Sequence, residues 1–266
     1  MGRVTSPSRV DVTMSAGRLL VRADEGVARP TVVRVAPKLP TDAAAATAAT
    51  AVTVDDGPDG LRITAPEVVR RGRAPELLIE LSVPPGTSVQ ASTGVGQVVG
   101  TGRLGGLVAR TSSGSVGVEQ VSGPVDIRTG RGPVTVHACG GGNVDVTDAV
   151  VIIRESHAPL SVRGRSGDVH VWWVGATTTV TTSTGNVRLG WDADQPVALH
   201  ISTDTGRRAV TVPDTVEAAE SLTVRTITGD VTVAPATSPQ DVPARGPRAL
   251  LSDVRRWAAG RRNRRA

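Results

Sequence analysis

Glycine spacing is the first place where chemistry could sit. The run Gly100-Thr101-Gly102-Arg103-Leu104-Gly105 spells GxGxxG, which grips a dinucleotide where a strand turns into a helix whose N-terminus meets pyrophosphate. A β-type block follows it here, so a structural role is expected and no cofactor is implied. Gly140-Gly141-Gly142-Asn143-Val144-Asp145 matches in part the GGxGxD calcium turn, whose tandem copies share an ion through several oxygens. This copy stands alone and has Asn143 where the fourth-position glycine belongs, so it too reads as a turn and no metal site is assigned. His137, His157, His170 and His200 follow no metal-ligand spacing. Cys139, two residues from His137, could make a Cys/His pair, but a buried or edge thiol is the simpler reading. No Ser/His/Asp set, P-loop or HExxH is present. No catalytic residue is assigned, and the expectation is that the chain is not an enzyme.

Binding groups are better represented. Trp172 and Trp173 are adjacent, so on a strand one of them faces outward, and Trp191 follows a turn. An exposed indole can stack on a sugar or pack on a partner; equally, it can cover a sheet edge. The tail offers Arg255, Arg256, Arg261 and Arg262. These are the candidate partner-binding residues.

The elements that would position them are set by composition and by a repeat. The 266 residues contain 30 glycines and 18 prolines, no Phe and no Tyr, so the core must come from Val, Leu, Ile and Ala, which favours narrow β layers. Net charge is +5, and seven arginines against the single acid Asp253 lie in the tail from Arg248; the body is close to neutral. Lys38 is the only lysine, an arginine bias that genome composition explains as readily as phosphate recognition does. Cys139 is the only cysteine, which removes any internal disulfide and allows a reducing compartment. No apolar leader or spanning run is visible, and the expectation is a cytoplasmic protein.

The repeat reads apolar-x-apolar-x-Thr-x-x-Gly-(polar)-Val-x-Val. Clear copies are anchored on Thr93, Thr111, Thr129, Thr182, Thr203 and Thr226, and Gly164 takes the anchor position in LSVRGRSGDVHV. The steps between anchors are 18, 18, 35, 18, 21 and 23 residues. The 35-residue step holds two coils, one of them the degenerate Asn143–Ile153 block without its turn glycine, giving about eight coils. Alternation places Val, Ile and Leu on one side of each strand and the intervening Thr, Asp and Arg on the other. So short a strand is stable only when stacked, and coils about 4.8 Å apart would make a rod of roughly 40 Å with Val ladders as its core. The period predicts a β-solenoid over residues 87–234, lengthening towards the C-terminus, in which the turn glycine supplies positive φ.

Residues 1–86 read as looser strands at Val10–Val12, Leu19–Val21, Thr31–Val35, Ala51–Val54, Leu61–Thr64 and Leu77–Val83, either a meander or the first irregular coils, with a short helix in the Ala-rich Asp42–Thr50 stretch. A Pro-rich linker, 235–246, precedes residues 247–266, where Leu250, Val254, Trp257 and Ala258 form the apolar stripe of an amphipathic helix over 247–259.

The blocks TSSGSVGV, RSGDVHV, STGNVRL and TITGDVTV, with the lead-in LLIELSVPPGTSVQASTGVG, resemble the DUF4097 family of bacterial adhesin-type, β-strand repeat proteins. The resemblance covers most of the body. It implies a single-stranded β-solenoid (β-helix), all-β in class, and brings no catalytic residues with it.

The expected function is a non-catalytic scaffold or binding module that presents polar Thr, Ser, Arg and Asp faces to a protein or glycan partner. One alternative is a polysaccharide-acting β-helix enzyme, which needs a cleft of convergent acids and bases. The other is a tether in which the basic tail engages a membrane surface or nucleic acid. The tail helix reads more readily as a cap on the open end of the stack, and the scarcity of aromatics argues against nucleic acid.

Overall fold

A computed structural model describes residues 9–57, 60–67 and 74–236. Within them lie twenty strands and one helix, and no helix is long and apolar enough to cross a membrane. The unit is a coil of two strands. β7 (Leu107–Ser113) and β8 (Val116–Val121) make one coil, and β9 (Val125–Arg131) and β10 (Val134–Cys139) make the next. β11 (Gly142–Asp148) with β12 (Val151–Ser156), β13 (Leu160–Ser166) with β14 (Val169–Val174), and β15 (Thr178–Thr184) with β16 (Val187–Asp192) continue the stack. First strands pair in parallel with first strands, and second with second. The result is a β-solenoid with two parallel sheets around one core.

Register explains why aromatics are dispensable. Val116, Val134, Val151, Val169, Val187 and Val231 sit one above another, each at most 1% exposed. A buried valine contributes about 1.5–3 kcal/mol, and equal side chains at equal height fill this column without a ring. The anchor threonines belong to this inward side. Thr93, Thr111, Thr129, Thr182 and Thr226 are 2–6% exposed, because each follows an inward residue by two positions; this corrects the expectation that they face outward with the arginines. Thr129 Oγ1 donates to the Arg131 carbonyl (3.1 Å) and Thr203 Oγ1 to that of Gly229 (3.0 Å), whereas the Thr93 and Thr111 hydroxyls have no protein partner.

Turn glycines also stack. A Cβ on Gly114 would stand 1.5 Å from the Gly96 carbonyl oxygen, and one on Gly185 would stand 2.1 Å from that of Gly167. Gly185 has φ +146°, but Gly114 does not lie in the positive-φ region. Gly132, Gly167, Gly206 and Gly229 share the positive φ expected of the turn glycines; at Gly96 and Gly114, which do not, close approach between coils is what demands glycine. The degenerate coil is present as β11 and β12, with Ala149 at the glycine position and its N–H donating to the Ser166 carbonyl (3.0 Å).

Both ends depart from chain order. After β16, the chain runs to β17 (Val197–Thr205) and β18 (Arg208–Val210), then returns as β19 (Glu220–Thr228) and β20 (Val231–Ala236). β19 lies between β15 and β17, and β20 between β16 and β18. Thr226 therefore stacks on Thr182, and Thr203 stacks on Thr226. The 21- and 23-residue steps are an outward excursion and a return, which corrects the expectation of lengthening coils. Side chains fix this order. Glu220 Oε2 accepts from the backbone N–H of Thr177 and from its Oγ1 (2.6 Å). Beyond the turn glycines, Asp168 Oδ1 accepts the Asn186 N–H (2.9 Å), Asn186 Oδ1 that of Asp230 (3.0 Å), and Asp230 Oδ1 that of Arg207 (2.8 Å).

The N-terminal strands are part of the same stack. β1 (Arg9–Ala23) and β6 (Ser88–Leu104) each span both sheets. β1 lies between β6 and the pair β4 (Gly60–Thr64) and β5 (Leu77–Val83). The parallel stack thus holds ten coils, β1 and β6 each filling one alone. β2 (Thr31–Pro37) on β5 and β3 (Thr53–Gly57) on β4 are antiparallel and finish that end. The short helix α1 (Ala43–Thr50) is capped by Asp42, whose Oδ1 accepts the Ala45 N–H (3.0 Å); it buries Ala45 and Ala48.

Candidate functional site

On the first sheet, the residue just before each anchor points outward. Along the axis this row reads Ser92, Arg110, Arg128, Asp145, Arg163, Thr181 and Arg225. Its arginines are all exposed. The row lines an open groove of about 730 Å³, which reaches from Ser92 to Thr181. Arg128 is held by Asp126 (3.4 Å) and Asp145 (3.8 Å). Among the described residues, Arg110, Arg163 and Arg225 have no carboxylate within ion-pairing distance, so their guanidinium donors are available to an acceptor from outside.

The tryptophans lie on the second sheet and separate into two environments. Trp172 is 46% exposed and stacks on His170, centroids 4.4 Å apart. Trp173 is half-buried and tilts over His157 at 5.0 Å, whose Nε2 is 3.4 Å from Glu155. Burial first, and then the Arg188 guanidinium, push the His170 imidazole below its usual pKa. Trp191 is 0% exposed, with Nε1 donating to the Gln195 carbonyl (2.9 Å). It is a core residue, which corrects its placement among partner-binding candidates; within β16 it follows the inward Val187 and Leu189 by alternation, so the ring points into the core. Arg255, Arg256, Arg261 and Arg262, with the whole of 247–266 and the linker beyond Ala236, lie outside the described residues.

The other motifs resolve structurally. Gly100–Leu104 forms the end of β6, where pairing with β8 is irregular between Gly100 and Arg103, and Gly105 follows just past it. Gly102 has φ +74°, a Cβ on it would meet the Ala23 carbonyl at 2.4 Å, and its N–H donates to Glu119 (2.7 Å). Gly141 and Gly142, both at positive φ, turn the chain from β10 into β11, and Asp145 lies in the arginine row. Cys139 is 1% exposed; its Sγ faces the Glu155 carbonyl (3.7 Å) and Ser156 Oγ (3.9 Å). Burial raises its thiol pKa. Among the described residues, no three His, Cys, Asp or Glu side chains gather as metal ligands would.

Sequence reasoning named polar faces in general but did not single out the arginine row. The signal was present: Arg110, Arg128, Arg163 and Arg225 each immediately precede a repeat anchor, in VART, DIRT, SVRG and TVRT.

No protein-family model and no curated protein matches this chain. Among solved structures it is similar to one described as a "putative adhesin" from Bacteroides fragilis, at 12% identity and a TM-score of 0.51, covering 88% of this chain and 94% of that one. The likeness is one of fold. A "putative cell adhesion protein" from Clostridium sporogenes also aligns, at 10% identity and a TM-score of 0.22, covering 86% of this chain and 92% of that one.

Proposed function

We propose that this chain is a non-catalytic, adhesin-like binding module of the DUF4097 type, whose first-sheet groove receives a protein or glycan partner. The carrying observation is the row of exposed arginines, Arg110, Arg128 and Arg163, along an open groove of about 730 Å³; among the described residues Arg110 and Arg163 make no ion pair, and Arg225 continues the row one coil beyond Thr181. The arginine guanidinium offers a planar fork of donors, suited to planar acceptors. The shared fold with a structure described as an adhesin is consistent with that reading. The polar groove edges, Ser92, Asp145 and Thr181, supply hydrogen-bonding partners for hydroxyls or backbone amides.

The test is partner capture and glycan-panel binding with the intact protein beside an Arg110→Glu/Arg163→Glu variant. Binding that disappears in the variant supports the groove. Binding that survives it, or turnover of a glycan, overturns the reading. A cytoplasmic location is proposed on separate grounds: Cys139 is a buried free thiol, so no disulfide is needed to hold the Val ladders and a reducing compartment suits the fold. Cell fractionation checks it, and recovery of the protein outside the cytoplasm would refute that part.

A further inference from the structure

Building on the binding-module reading, we infer that the groove takes a linear acidic polysaccharide lying along the solenoid axis, with a carboxylate on every second sugar. The basis is register. From Arg128 onward the row places an arginine in alternate coils, Arg128, Arg163 and Arg225, with Asp145 and Thr181 in the coils between. Coils about 4.8 Å apart put those arginines about 10 Å from one another. A 1→4- or 1→3-linked pyranose chain advances by close to one coil per sugar. An acid on alternate sugars would then meet each guanidinium in turn, while the neutral sugars between would offer hydroxyls to Asp145 and Thr181. Among the described residues Arg163 and Arg225 have no carboxylate partner, and Arg128 is held between Asp126 and Asp145; Arg110 adds a further cation one coil before Arg128, and Arg225 extends the row one coil beyond the groove's Thr181 end.

Other linear ligands fit less well. An extended peptide brings side chains to one face only every 6.6–6.8 Å or so, out of step with the arginines. Single-stranded nucleic acid is gripped by stacking its bases on aromatic rings, and among the described residues no aromatic side chain lines this groove. Trp172 and Trp173, which could stack, are on the other sheet.

The experiment titrates the full-length protein with hyaluronan oligosaccharides, dextran and oligo-dT, at low and at high salt. The variants are Arg128→Gln/Arg163→Gln, Arg163→Lys and, as a control on the opposite sheet, Arg188→Gln, each checked by circular dichroism for an unchanged fold. The alternating uronate polymer is expected to bind best and to weaken with salt. Each Arg→Gln change should weaken it roughly two- to fivefold, Arg163→Lys less, and Arg188→Gln not at all. Equal binding of dextran, tighter binding of oligo-dT, absence of hyaluronan binding, or affinity unmoved in the double variant would overturn the inference. If a partner is captured through the groove while hyaluronan is ignored, the inference falls and the module reading stands. If hyaluronan is cleaved yet still loses affinity in the double variant, the module reading falls and the arginine register stands.

Discussion

Two glycines three residues apart should respond in opposite ways to the same substitution. In Gly114→Ala, the new Cβ would lie 1.5 Å from the Gly96 carbonyl oxygen, where ordinary contact needs more than twice that distance. The obstructing atom is backbone, so no rotamer change relieves it, and the coil must lift by a large part of its about 4.8 Å spacing. Overpacking of this kind costs about 1–3 kcal/mol, occasionally more. Displacement also strains the ladder bond from the Gly114 N–H to the Arg131 carbonyl (2.8 Å), worth about 1 kcal/mol. A total near 3 kcal/mol lowers the melting temperature by about 6–12 °C in a chain of this size. Gly117→Ala meets nothing within 4 Å; by removing unfolded-chain freedom it should stabilise by about 0.5–1 kcal/mol and raise melting by about 1–4 °C. Thermal and urea unfolding followed by circular dichroism compare the two. Repeat stacks need not unfold in one step, so amide exchange across residues 96–132 should show the loss of protection localised there in Gly114→Ala. Melting of both variants within about 2 °C of each other would refute the claim that coil spacing, not chain handedness, selects glycine at position 114.

Glu220→Ala removes the acceptor for both the N–H and the hydroxyl of Thr177 and should cost about 1.5–3 kcal/mol; exchange should accelerate in 197–236 and leave 107–139 protected, and a uniform change would count against Glu220 as the pin of the returning coil. Trp191→Ala should cost about 3–5 kcal/mol, whereas Trp172→Ala should stay within about 0.5 kcal/mol, as measured by urea midpoints. The buried Cys139 thiol is held protonated in the fold, so stability should fall as pH rises past about 8.5, where the unfolded thiol ionises; thiol labelling should occur only on unfolding, and rapid native-state labelling would contradict this. His170 is held neutral, so its contribution is present above about pH 6.5 and is lost as pH falls through its lowered folded value. Arg188→Gln should bring its NMR titration only part of the way back, because burial is the larger cause.

Much of this architecture was legible because period two and period 18 act on the same residues. The strands at Leu61–Thr64 and Leu77–Val83 and the helix in Asp42–Thr50 stand where hydropathy put them, and the coil without a turn glycine was countable from the steps on either side. Strand order was not legible. A repeat specifies which residue stacks on which kind of neighbour, but Thr203 and Thr226 carry the same signal, and only Glu220 with the Asp168–Asn186–Asp230 chain of hydrogen bonds decides which lies inside. The site was half legible for a similar reason. Tryptophan draws the eye as a binding residue, yet Trp191 is spent on the core, while four arginines spread over more than a hundred residues converge only when the coils are superposed.

The interleaved ends bear on how the molecule would answer tension. A strand at the rim of a simple stack peels away by opening one row of hydrogen bonds in sequence, like a zip. Here the strands nearest the described termini, β1 and β20, are each clasped between parallel neighbours on both sides. A pull transmitted through either must shear two rows together or first expel the outer coil, so the chain is gripped one layer in from each rim.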